Sequence, residues 1–476
     1  MTLDVASPLR ADAALAPDAA AQAALAAARA RAARERRPVL LCLARPLDAG
    51  LDPLALVDAA RAAGVSAALF ARPDGALGLA ALGRVWMREA SGASRVAAVG
   101  DPARALLTDA VVDGDAAPIA IAAFGFADQP ATDALWRGFP AARVAVPRVA
   151  LLERAGAAHL LVQALVRPDA SAAEVGAHVA RSLARLRTWS APRRRPAEQR
   201  APRYTTASRP APARYAGAVA DTTAEIAAGH FEKLVLARAC TLRAARPFSC
   251  ARAAARLRQS YPGCTTFWLG DRGGDFIGAT PESLVRVRGG EVDTTALAGT
   301  IGRGTTAASD TALAEALLRS DKNRREHAIV VAALADGLRP LCSALSIDAA
   351  PRILRLPSLQ HLLTPIRGRL APGAHLLDLV AALHPTPAVG GAPRAAALAA
   401  LPDHESVSRG WYAGPVGWFD ARGDGDMVVA IRSALVRGRR AVLFAGAGIV
   451  AGSDPDAELT ETRLKLQPLL SALLEL

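Results

Sequence analysis

From residue 233 onward the chain reads as strand-type runs closed by long helices. It lacks the β–α–β alternation that a doubly wound parallel sheet requires, so it predicts an α+β fold. KLVLARACTL (233–242), TTFWLG and DFIGA read as strands, and LVRVRGGEVDTTAL predicts a hairpin turning on Gly289 and Gly290. MVVAIRSALV, the turn RGRR and AVLFAGAGI predict a second hairpin. A long helix is expected over Ser309 to Gly337 and another over Pro455 to Leu474. Tyr215, Val219 and Ile226 mark a shorter helix that stops at Gly229.

Upstream the pattern is weaker. PVLLCLA, from Pro38, and the apolar runs that follow to about Val166 read as strands. Residues 1–35 form an Ala- and Arg-rich segment for which a helix and disorder are both compatible. Residues 188–214 are rich in Pro and Arg; they predict a linker or surface crossing between a region at 36–187 and one at 215–476. Aromatic residues make up only 4% of the chain, so the core must be built mainly from Ala, Leu and Val.

The formal net charge of +13 raises nucleic-acid binding as a remote alternative. The excess is Arg spread along the chain, with no zinc-finger spacing, RNA-binding aromatic motif or basic heptad helix, so no nucleic-acid partner is expected. A positive field also suits capture of a small dianionic substrate. The five cysteines show no CxxC spacing and read as reduced thiols of a cytoplasmic protein. No leader and no run of about 18 strongly apolar residues is evident, so no membrane partner is expected.

Several residues could carry chemistry. Lys233 opens an apolar strand; it is either a solvated strand start or a desolvated lysine able to act as a base. Glu282 follows a strand and a turn, where a helix-start role and an acid role both fit. Glu326 lies on the predicted long helix, and Glu458 and Glu461 share one face of the last helix. Three such carboxylates suit a hard cation if they converge, and are solvated face residues if they do not. Gly446 and Gly448 let backbone approach an anion closely. Arg432, inside a predicted strand, is costly unless paired, as a bound carboxylate would pair it. Lys465 either pairs with Glu461 or reaches the same anion. His361 and His384 lack a metal-type partner, which argues against zinc.

In order along residues 233–466 stand KLVLAR, FIGATPESL, LAGT, DKNRREH, QHLLTPIRG, HPTPAVGG, GWYAGPVGW, AIRSAL, FAGAGIV and ETRLKL. This series resembles the chorismate-utilising enzymes, the isochorismate, salicylate, anthranilate and aminodeoxychorismate synthases. The resemblance implies two large antiparallel-rich sheets packed face to face with helices outside. It makes residues 36–187 the N-terminal half of one composite unit and 188–214 a crossing within it. It implies that Lys233 activates a water and that Glu282 protonates the departing 4-hydroxyl of chorismate. A lysine base must be neutral and a glutamic acid protonated to do so.

By the same resemblance Glu326 and Glu461 are Mg²⁺ ligands, with Glu458 in an outer position. Arg432, Gly446, Gly448 and Lys465 hold the substrate carboxylates. Gly299, Thr300, His361, Thr364, Ala388 and Tyr412 complete the substrate-binding set. Asn323 departs from relatives that carry an acid there, which removes one outer carboxylate. Within the family, Ala388 resembles the isochorismate synthases, whereas salicylate and anthranilate synthases typically carry Thr. Tyr412 also resembles the salicylate synthases, so a salicylate synthase or other chorismate lyase is the alternative. A monomer is expected, by resemblance alone.

Overall fold

The computed structural model describes residues 18–47, 51–72, 75–154, 156–190 and 203–474. Two large sheets dominate it, of thirteen and ten strands among the described residues. Both sheets are stitched from both halves of the chain. Thr265–Asp271 pairs with Ala67–Arg72, setting Phe267 opposite Phe70. Pro415–Asp420 pairs with Ile119–Phe124, setting Trp418 opposite Ile121. Among the described strands, only the pair Val39–Leu47 and Val111–Asp113 is parallel. The strands at 36–187 and those at 215–476 therefore build the same two sheets.

Alternation along each strand sorts the core into layers. On Arg440–Val450, Val442 and Phe444 join a cluster with Phe70, Phe124 and Phe267 that draws on both sheets. Leu443 and Ala445 face the other way, against helix residues such as Val57, Leu183, Leu257 and Leu469. The few aromatic residues concentrate at one node between the sheets. There Trp136 stacks on Phe444 at 5.4 Å, and Phe139 meets Trp411 edge-on at 4.9 Å.

Four sequence expectations change. Ala19–Glu35 is a docked helix, capped by Asp18 and burying Ala28 and Ala32, so disorder does not apply there. Residues 1–17 lie outside the described residues. The Pro/Arg-rich stretch contributes an edge strand, Tyr204–Arg209, which pairs with Lys233–Ala244. An edge position is where such composition is tolerated. Residues 191–202 lie outside the described residues.

The long helix expected from Ser309 is two helices, Ala307–Arg319 and Asp321–Leu338. Ser320 ends the first and caps the second, its side chain accepting from Asn323 N at 3.3 Å. Finally, MVVAIRSALV is not one strand. Gly425–Val429 belongs to the smaller sheet and Ser433–Arg437 to the larger, and the chain changes sheets across Ala430 to Arg432. A second change of sheet lies beside it. Gly274–Thr280, in the larger sheet, passes through Pro281 and Glu282 into Ser283–Arg288 of the smaller. The two crossings are tied by Val429 N donating to Glu282 O at 3.0 Å and Ala279 N to Arg432 O at 3.2 Å.

Candidate active site

These crossings place Glu282 and Arg432 on the wall of one pocket of about 680 Å³. Arg432 sits at φ +49°, a left-handed conformation uncommon for a residue with a side chain. It is therefore not a strand-interior arginine but a residue of the bend between the sheets. Its guanidinium is buried, and no carboxylate ion-pairs with it among the described residues. Its Nη2 lies 3.3 Å from His361 Nε2. His361 Nδ1 lies 3.1 Å from Thr300 Oγ1 and 3.3 Å from the Gly299 carbonyl. Burial, with Arg432 and Lys465 adding to it, holds the His361 pKa well below the ordinary imidazole range. A neutral ring fits these contacts when its one Nδ1–H is shared between the Gly299 carbonyl and Thr300 Oγ1 and its Nε2 accepts from Arg432.

Lys233 is not a solvated strand start. It is fully buried, with Nζ 2.9 Å from Glu326 Oε1. Space for this pair comes from Gly448 on the neighbouring strand, paired opposite Val235. A Cβ at Gly448 would lie 2.5 Å from Glu326 Oε1 and 2.9 Å from Lys233 Cε. Gly446, on the same strand, faces the Tyr412 hydroxyl. Burial raises Glu326, but the charge of Lys233 beside it, and then Lys465 and Lys322, bring it below its usual value. Glu282 lacks so close a cation. Its burial outweighs the pull of Lys233, Lys465 and Arg432 and raises it to about 7.

The last helix, Pro455–Leu474, brings up Glu458, Glu461 and Lys465. Lys465 Nζ lies 2.6 Å from Glu461 and donates to the Gly446 carbonyl at 2.8 Å. Lys465 thus makes the helical ion pair and also borders the pocket. Glu458 accepts from Lys322 Nζ at 2.7 Å and Ser453 Oγ at 2.8 Å. Burial and repulsion from Glu461 raise its pKa. Among the described residues no group of three or more His, Cys, Asp or Glu forms a ready-made metal site. The three carboxylates are each held by a lysine instead. Glu326 and Glu461 nevertheless both border the main pocket and an adjoining cleft, and two carboxylates are a set that Mg²⁺ commonly uses.

Gly299, Thr300, Ala388 and Tyr412 also line the pocket. Tyr412 stacks on Phe444 at 5.2 Å. Gly299 takes φ +77° at a bulge in Glu291–Gly302, where a Cβ would crowd Asn323. Asn323 Oδ1 accepts from Thr300 N at 3.3 Å, so it braces this bulge. Thr364 is placed differently from the expectation. It is not on the pocket wall, because its Oγ1 is engaged by His327 Nε2 at 2.7 Å.

Sequence reasoning missed Lys322, His327 and the buried pair Glu405–Arg409, whose atoms approach to 2.6 Å. Lys322 stands four residues before Glu326 in DKNRREH, a spacing that signals a helical pair. Its partner is instead Glu458 from another helix. Glu405 and Arg409 also read as an ordinary i,i+4 surface pair, and nothing local announces that both are buried.

The chain matches the family described as "Chorismate binding enzyme" over residues 23–474. It is 38% identical over 439 residues to the "Salicylate biosynthesis isochorismate synthase" of Pseudomonas aeruginosa, covering 92% of this chain and 90% of that protein. It is 40% identical over 256 residues to "Isochorismate synthase MenF" of Bacillus subtilis, covering 54% of each. In structure it is similar to MenF, the menaquinone-specific isochorismate synthase of Escherichia coli. That match has a TM-score of 0.75 and 25% identity, covering 94% of this chain and 100% of the other. A pocket assembled at the seam of two composite sheets, and a match spanning nearly the whole chain, make this protein a member of the chorismate-binding enzyme family.

Proposed function

We propose that the protein is an isochorismate synthase, an isomerase that interconverts chorismate and isochorismate. The observation that carries the chemistry is the pairing of a buried Lys233 with a Glu282 raised to about 7. Lys233 in its neutral form, which requires the ion pair with Glu326 first to be given up, takes a proton from the water whose oxygen bonds to C2. Glu282 gives its proton to the 4-hydroxyl, the C4–O bond breaks, and that group leaves as water while the ring double bonds shift. One water enters and one departs, so atoms balance. Arg432 and Lys465 offer positive charge to the substrate carboxylates, and His361 orients Arg432.

Mg²⁺ is the proposed cofactor, with Glu326 and Glu461 as the residues that would hold it and Glu458 behind them. When bound, it would supply positive charge against the ring carboxylate. Support for this reading is the oxygen-only donor set between the two pockets. Replacing Glu461 by Gln is expected to raise the Mg²⁺ concentration needed for half-maximal rate by about tenfold or more. A Mg²⁺ titration that does not move would remove Glu461 from the set.

Ala388, on the pocket wall without a hydroxyl, favours isomerisation over elimination of the enolpyruvyl group. Incubation with chorismate and Mg²⁺, followed by product analysis, decides. Isochorismate in equilibrium with chorismate is expected; salicylate with pyruvate would assign a lyase, and no turnover would refute both.

The pH dependence follows from Glu282. An acid raised to about 7 is protonated below that pH and loses its proton above it. Accordingly kcat/KM is expected to fall as pH rises through about 7. A profile flat from about pH 6 to about pH 8 would count against Glu282 as the acid.

A further inference from the structure

On the other side of the His384–Gly391 segment lies a second, larger pocket of about 1580 Å³. Its wall carries two arginines, Arg95 and Arg394, and neither has an ion-pair partner among the described residues. Arg95 is 9% exposed. Its Nη2 reaches the Gly125 carbonyl at 3.3 Å, and its Nε has no hydrogen-bond partner. Asp128 attracts it only through space. Arg394 Nη2 donates to the carbonyls of Ala382 and Leu383, at 2.8 and 3.0 Å. Both arginines flank His384, whose ring is held at about 3 by burial and then by Arg95. A buried guanidinium with an unused donor is costly unless an anion completes it. Phe126, Leu398 and Leu401 supply apolar surface beside it.

This pocket shares a wall with the active site. Arg409 borders both. Its Nη1 donates to the Val389 carbonyl at 2.6 Å and its Nη2 to the Val235 carbonyl at 2.7 Å. Val389 and Val235 line the active pocket. Arg409 lies over the Phe126 ring at 4.1 Å and pairs with Glu405, which borders only the second pocket. We propose that this second pocket binds a small organic carboxylate with a flat apolar body, and that its occupant is felt in the active pocket through Glu405 and Arg409. The carboxylate accepts from Arg95 and Arg394, and the ring lies on Phe126 and the two leucines.

Benzoate is the probe, titrated calorimetrically into the full-length protein, so binding is read independently of any turnover. Saturable binding is expected in the wild type and in Arg432→Met, which disables anion capture in the active pocket. Arg95→Met is expected to weaken it by about tenfold or more. Arg394→Met, at an exposed position, gives the same reading should Arg95→Met fold poorly. Unchanged binding in both, loss confined to Arg432→Met, or no saturable binding would overturn the site. Saturating benzoate is further expected to shift the KM for chorismate by about fivefold or more in the wild type but not in Arg95→Met. Binding without any change in KM or kcat would overturn the coupling.

Discussion

Lys233→Ala is expected to lower kcat by about a thousandfold, within the range that a positioned acid or base contributes. Loss of rate alone does not separate chemistry from architecture, because Lys233 also neutralises Glu326 at 2.9 Å. Breaking a buried pair from one side costs roughly 3–5 kcal/mol. That figure is an upper bound here, since the Glu326 side chain keeps 13% of its surface exposed. Lys233→Arg makes the distinction. It retains a cation for Glu326 but cannot give up its proton, so it should fold and bind yet remain as slow as the alanine variant. Thermal unfolding and kcat measured together read both effects. An arginine variant with near wild-type rate would leave Lys233 a purely electrostatic partner.

Gly448→Ala is the second large effect, expected to cost about a hundredfold in kcat with a small change in stability. Its backbone does not need the left-handed region, so alanine is not excluded by conformation. What excludes it is space. The added carbon would fall 2.5 Å from Glu326 Oε1 and 2.9 Å from Lys233 Cε, so the pair must shift. A displacement near 1 Å in a reacting geometry costs about two orders of magnitude. Gly446→Ala is the comparison. Its added carbon would meet the Tyr412 hydroxyl at 3.1 Å and spare the Lys233–Glu326 pair. Equal losses in the two variants would refute this account.

The sequence motifs named the glycines, lysine and glutamates of this region, but not why the glycine at 448 is there. Spacing within one strand cannot reveal which side chain of a neighbouring element needs the missing Cβ. The same limit applies to Arg432. Read linearly, MVVAIRSALV is one apolar strand, because both of its halves are near-continuously apolar and buried. Only pairing partners, Met427 with Val285 and Ala434 with Ile277, show that the halves belong to different sheets. Ser320 was more legible, since SDKN carries a helix-start signature inside a helical pattern. Thr364 was misplaced for a local reason: strand position shows the face of a residue but not whether His327 occupies it first.

The paired crossings at Pro281–Glu282 and Ala430–Arg432 bear on how the enzyme tolerates change elsewhere. Each is a short tie between the two sheets, and each carries a side chain that lines the same pocket. Their separation is therefore a gauge of how the sheets are registered on one another. Thinning the aromatic node at Trp136 and Phe139, neither of which lines the pocket, would let the sheets settle closer or slide. Glu282 and Arg432 would then drift out of alignment together. Catalytic rate should degrade in such variants while the protein is still folded, so misalignment, not unfolding, sets the first limit on substitution in this interior.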